Sequence, residues 1–327
     1  MPNGDKVNRR TFLKSATLSI GTASMLPGRS GQREGSGPSL VQRLGYAADA
    51  RVVIFTSDEF GQCHAANVGV MKCWEAGILK SATWMAPGPW APEAAEYARG
   101  HPKMDVGVHL TLTGSLTRGP AAAMSWRPFL SPAEAPGLYT PDGYLWPNGV
   151  EAWKHATADE IKRESRAQIE HALRLGIDPT HLDPHDGIRE ANLPEFAKLY
   201  AELAKEFSLP VRMPPTQARL VELGQPGLRA MISRLGVLMS DESLELWGRD
   251  RFRQIFRERA PGTVTDLYIH PASAGPEIEA ARKNWKDGVA EFELFTRYRD
   301  ELQQAIKEEG FIVIGWREIR ELQRHGG

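Results

Sequence analysis

Residues 52–61 read VVIFTSDEFG. Branched and aromatic residues in an unbroken apolar run predict a strand buried on both faces, the kind found in parallel sheets. The run ends on two adjacent acids, Asp58 and Glu59. Neighbouring carboxylates repel one another, and desolvating either is costly. The pair therefore lies in a solvated turn, or the strand delivers it to a site that neutralises it.

The rhythm of the chain around this stretch sets the fold class. Further strand-like runs are SATWMA (81–86), DVGVHLTL (105–112), PTHLD (179–183), LPVRMP (209–214), TDLYIH (265–270) and FIVIGW (311–316). Helical patterns lie between them: 159–175, introduced by Thr157 and stopped by Gly176; 193–207, with apolar residues at helical spacing; and 289–309, ending at Gly310. Strand then helix, repeated, predicts an α/β fold: a distorted (β/α) barrel of about seven parallel strands, with its chemistry at their C-terminal ends. Residues 113–156 and 240–260 break the rhythm and read as long aromatic-bearing loops.

The 327 residues suit one such barrel, and the net charge of −1 leaves no basic footprint for nucleic acid. The two cysteines form neither a disulfide framework nor a metal-finger spacing. The N-terminus reads differently. NRRTFLK at 8–14, with an uncharged stretch over 15–28 behind it, has the layout of a twin-arginine export signal. That stretch is too short and too polar to span a bilayer, so no stable membrane insertion is expected. A Gly/Ser-rich linker follows. Residues 1–45 are thus expected to be signal and linker, residues 46–327 a single domain, and the mature protein periplasmic or secreted.

Side chains on a strand alternate faces. His109 shares a face with Gly107 and Thr111, opposite Val106, Val108, Leu110 and Leu112. His181, Asp183 and His185 fall two apart, and Asp266, Tyr268 and His270 share one face. In a barrel, these strand ends converge on one mouth with Asp58 and Glu59. An acid with two histidines is a ligand set for a divalent metal with open positions. Such an ion would neutralise one carboxylate of the pair and leave the other free as a base.

The same segments resemble the motifs of the YdjC-type carbohydrate deacetylases, relatives of the chitooligosaccharide deacetylases. TSDEFG at 56–61 is similar to their first motif, with Glu59 where the family usually carries a second aspartate. GVHLTLTG (107–114), HLDPHDG (181–187) and IHPA (269–272) resemble the later ones in the family's order. The resemblance implies a hydrolase with one divalent metal, Zn or Mg before Mn, Co or Ni, that removes acetyl groups from N-acetylated sugars or oligosaccharides. It implies Glu59, His109 and His185 as metal ligands and Asp58 as general base. His270 is implied as general acid or as a partner of the oxyanion. Arg212 is expected to orient Asp58 or bind the acyl group, unless it is an ordinary surface residue. Asp183 is expected behind His185, and His181 has either a structural or a site role. Trp126 and Trp146 are expected to stack on sugar rings, the alternative being a small core beneath the loops.

Three other functions remain open on the residues alone. A non-haem iron oxygenase uses the same two-histidine, one-carboxylate set. A carbohydrate-binding barrel with altered chemistry would account for the Asp-Glu variant. A glycosidase could use Asp58 with another acid, but it leaves the histidines without a role.

Overall fold

A computed structural model describes residues 37–114, 125–185, 187–213, 216–246 and 248–326. The proposed export signal lies outside the described residues. Within the compact unit Pro38–Gly327, seven strands form one parallel sheet: β1 Arg51–Phe60, β2 Ser81–Trp84, β3 Asp105–Leu110, β4 Leu182–Pro184, β5 Glu242–Glu245, β6 Val264–Ile269 and β7 Phe311–Ile314. The order is β4-β3-β2-β1-β6-β5, with β7 also paired to β1. One edge of β1 carries β6 along Val52–Ser57. The other carries β7 beside Arg51–Ile54 and then β2 from Thr56 onward. Single parallel bridges, Leu182 to Val211 and Val211 to Met239, continue the curl from β4 back towards β5. The result is the expected distorted barrel. The strand expected at 209–214 is reduced to the bridge at Val211.

Helices cover the outside. Val53, Phe55, Leu267 and Ile269 pack against Phe256, Phe295 and Leu302. The inside is polar yet buried: Thr56, Ser81, Thr83, His109, His181, Asp183, Arg212 and Asp266 are all under 4% exposed. Gly107 shows how tightly it is filled. A Cβ there would lie 2.4 Å from the His181 ring, which stacks on Trp316 with centroids 4.7 Å apart. His181 is thus part of the barrel's filling.

Three local expectations change. The charged stretch 240–260 holds β5 and a helix, Phe252–Glu258. β5 reads ESLE, and its polar alternation hides a strand whose Ser243 hydroxyl donates to buried Asp266 at 3.0 Å. The stretch 113–156 contains the helix Gly149–His155, capped by Asn148. The single helix expected over 289–309 is two, Trp285–Phe295 and Arg299–Glu308. The chain turns between them where the Thr296 hydroxyl donates back to the Phe292 carbonyl at 2.6 Å.

The domain also begins earlier than residue 46. Ser39 caps a short helix, Leu40–Arg43, through a reciprocal bond with Gln42. Val41 is fully buried with Val52, Ile54, Trp316 and Ile319. The composition of 29–45 signals a linker, but one valine with an apolar surface to cover overrides it. A chain starting at residue 38 is therefore expected to unfold at the full-length temperature. One starting at residue 46 should lose about 2 kcal/mol, the worth of one buried valine. Thermal melts of both truncations check this, and equal melting temperatures would return 38–45 to the linker.

Candidate functional site

The two acids of the opening stretch both face the cavity, although neighbours on a strand normally point to opposite faces. A bulge makes this possible. The pairing of β1 with β2 slips between Ser57 and Phe60, and Glu59 takes the left-handed conformation with φ 67°. Bulges redirect side chains in this way beside functional sites. Asp58 and Glu59 then line a cavity of about 720 Å³ together with His109, Asp183, His185, Arg212, Glu245, Tyr268 and His270.

Asp58 is held from two sides. Arg212 donates to both its oxygens, Nη1 to Oδ2 at 2.7 Å and Nη2 to Oδ1 at 2.9 Å. Thr83 adds a hydroxyl bond at 3.0 Å. Burial alone would raise the Asp58 pKa, but the charges of Arg212 and His109 overcome it and hold the carboxyl far below its usual range. Arg212 is only 2% exposed, so it is not the ordinary surface residue that the sequence left open. Its Nη1 also meets Asp183 at 2.9 Å, and its Nε meets Asp266 at 2.7 Å. One buried cation thus collects three aspartates.

Asp183 stands elsewhere than expected. The β3–β4 register sets it opposite His109, and its Oδ2 lies 2.5 Å from His109 Nδ1. It backs His109, not His185, because cross-strand neighbours on one face approach more closely than residues two apart on one strand. Burial works against a charged His109, but the Asp183 carboxylate outweighs it and raises the pKa. His185 is pushed well down by burial and then by His109.

His270 occupies the opposite wall. Its Nδ1 lies 3.0 Å from Glu245 and its Nε2 lies 3.9 Å from Asp58 Oδ2. Its backbone N–H donates to Glu291 at 2.8 Å. Burial opposes the imidazolium, but Glu59, Glu245 and Asp58 prevail and raise the pKa to about 10.

Trp126 and Trp146 do not line the cavity. Trp126 is 4% exposed, and its indole N–H donates to the Thr113 carbonyl at 2.9 Å. Trp146 stacks on His155 and donates to the Gly137 carbonyl at 2.8 Å. Both pack with the main core cluster, and Trp126 also meets the His185 ring edge-on, with centroids 6.0 Å apart. The mouth is lined instead by Tyr268, Arg189, Glu190, Lys283 and Asn284.

Several partners had no sequence signal strong enough to single them out. Glu245 sits in the charged stretch that reads as loop, and Arg282, which pairs with Glu59, lies in a polar helix end. Asp266 was the nearest to detectable, since it shares a strand face with His270.

Two features bear on a metal. Asp58, His109 and Asp183 bring ligand atoms within 4.8 Å of one another, the composition and spacing of a divalent-metal site. The closeness of Asp183 to His109 there is also that of a hydrogen bond. The second feature is the histidine pair. With His109 Nδ1 engaged by Asp183, its Nε2 faces His185 Nδ1 at 3.2 Å. Two imidazole lone pairs aimed at each other need a proton or a cation between them. His185 Nε2 is buried with no hydrogen-bond partner. The two histidines with Asp58 and Asp183 fit a metal, while Glu59, expected as a ligand, pairs with Arg282 and stands outside the clustered group.

The YdjC-like protein family matches residues 52–308, a span that takes in every side chain of this constellation. The chain belongs to the YdjC-like family. Its relatives include a carbohydrate deacetylase of Geobacillus stearothermophilus, 28% identical over 83% of this chain and 99% of the relative. Another, from Thermus thermophilus, is 36% identical over 57% of this chain and 61% of its own length. A solved structure from Enterococcus faecalis, provisionally described as a cellobiose-phosphate cleavage protein, superposes with a TM-score of 0.69. It is 22% identical, with 83% of this chain and 99% of that one covered, and it shows the same fold.

Proposed function

We propose that this protein is a metal-dependent carbohydrate deacetylase that releases acetate from N-acetylated sugars or oligosaccharides. The observation that carries the reading is the 3.9 Å approach of the Asp58 carboxylate to the His270 imidazole, beside the facing pair His109 and His185. The carbohydrate deacetylases among its relatives support the same conclusion.

His109 Nε2, His185 Nδ1 and the Glu59 carboxylate would hold the ion; the two imidazoles suit Zn, Co or Ni, and the carboxylate also admits Mg or Mn. Asp183 fixes the His109 tautomer that leaves Nε2 free. When bound, a divalent ion lowers the pKa of a water and polarises a carbonyl. Asp58, ionised and aimed by Arg212, accepts the proton of the attacking water. A carboxylate held so low is a weak base toward ordinary water, and a bound ion would relieve the mismatch. His270 donates from Nε2 to the leaving amine, because Glu245 engages Nδ1. An amine leaves only when protonated, so an acid that stays charged through neutral pH suits the step.

Stripping the metal from the purified protein and restoring Zn or Mg is expected to abolish and then restore acetate release from N-acetylated sugars. Full release by stripped protein would sink the reading, and oxygen consumption in place of acetate release would favour an oxygenase.

The role of Glu245 has its own signature. Its charge helps raise the His270 pKa, so Glu245→Gln should lower it. The alkaline limb of kcat/KM, where His270 loses its proton, should move to lower pH by about one unit. The acid side should stay in place. An unmoved alkaline limb would remove His270 from the role of acid.

We also propose export by the twin-arginine route, supported by Arg9, Arg10 and the uncharged stretch behind them. Changing both arginines to lysine should trap the precursor in the cytoplasm. Mature protein still found beyond the inner membrane would refute this.

A further inference from the structure

Arg282 is 4% exposed and makes three contacts at the cavity wall. Its Nη2 pairs with Glu59 Oε2. Its Nε donates to Gln62 Oε1 at 2.8 Å, and its Nη1 donates to the His270 carbonyl at 2.7 Å. Gly288 leaves room for this last bond: a Cβ there would come 2.5 Å from the His270 oxygen and 3.5 Å from Nη1. Two of the three partners are neutral acceptors from separate parts of the chain. The guanidinium is therefore anchored independently of Glu59, and its whole charge is presented to that one carboxylate.

Glu59 is held in turn. Its backbone sits in the left-handed region, and its carboxylate is not part of the Asp58, His109 and Asp183 group. Arg282 thus keeps the acid of the opening stretch compensated in the dry wall. Glu59 and Arg282 both line the cavity that His109 and His185 also line.

We propose that Arg282 is a positioning residue that acts through Glu59, occupying the carboxylate as an internal cation that a divalent ion must displace. The proposal rests on the metal-dependent reading above. It follows that Arg282 weakens metal affinity in the native protein and that its effect runs through Glu59. An arginine fork and a lysine point charge then differ, because lysine cannot keep all three contacts.

The test is calorimetric titration of the metal-stripped full chain with Zn²⁺ and with Mg²⁺, with melting temperatures recorded alongside. Arg282→Gln should tighten the dissociation constant about tenfold or more. Arg282→Lys keeps the charge and is the variant more certain to fold. It should also tighten binding, by a smaller factor, since it releases Glu59. In a Glu59→Gln background, Arg282→Gln should change affinity by no more than about threefold, the mark of two residues acting as a unit. Equal tightening in both backgrounds would show a bulk charge effect and overturn the proposal. So would unchanged or weaker binding in Arg282→Lys. If the native chain takes up neither ion, the metal-dependent reading falls as well. A native chain that binds metal and releases acetate, with no effect at Arg282, overturns this proposal alone.

Discussion

Asp58→Asn is expected to keep the fold and the metal while losing about a thousandfold in turnover, within the range for removal of a general base. The substitution is nearly isosteric. It leaves one oxygen to accept from Arg212 and from Thr83, which bond Asp58 in the native site. The amide nitrogen turned towards the guanidinium faces a donor with a donor, so some stability is lost. Arg212 still keeps Asp183 and Asp266, so the loss should be modest. What disappears is the carboxylate charge that faces His270 Nε2. Turnover, metal content and melting temperature, measured on one preparation, separate these effects. Native-like turnover would remove Asp58 from the chemistry.

The largest effect on stability is expected at Arg212. Arg212→Met is close in volume but leaves Asp58, Asp183 and Asp266 in a buried space without their shared cation. Breaking a buried ion pair by removing one partner costs about 3–5 kcal/mol, and here three acids lose the partner at once. The pH dependence identifies the cause. In the native protein the Asp58 pKa is depressed, so its contribution is present above the unfolded-state carboxylate pKa and lost as pH falls through the folded value. Without Arg212 the aspartates should titrate above their unfolded values, so the folded variant binds more protons and gains stability as pH falls. The difference between native and variant should therefore shrink from pH 7 to pH 5 in urea denaturation. A constant difference would mean lost packing and not unpaired charge.

The fold was legible because its signals are local. Buried parallel strands are short runs of branched and aromatic residues, helices carry apolar residues at helical spacing, and glycine ends them. The strands at 52–57, 105–112, 265–270 and 311–316 all stand where the pattern puts them. β5 was hidden, since a strand that buries a serine against an aspartate looks from its residues like a polar loop. The tryptophans misled for a related reason. Trp126 and Trp146 are equally able to stack on a sugar or to fill a core, and only the neighbouring backbone carbonyls that accept from their indoles decide between these.

The same division runs through the site. The sequence by itself determined a parallel α/β barrel, brought Asp58, Glu59, His109, His185 and His270 to one end of it, and offered Arg212 to Asp58 and Asp183 to His185. These follow from residue type, spacing and alternation, which a chain carries before it folds. Tertiary structure decided who meets whom. The β3–β4 register gave Asp183 to His109, the curl of the sheet brought Arg212 onto three aspartates, and a bulge turned two neighbouring acids into one cavity. Glu245 and Arg282 joined from polar stretches with no pattern of their own. Pairings of buried charges depend on distances between residues far apart in sequence, 154 positions for Asp58 and Arg212, and such distances are fixed only when the sheet closes.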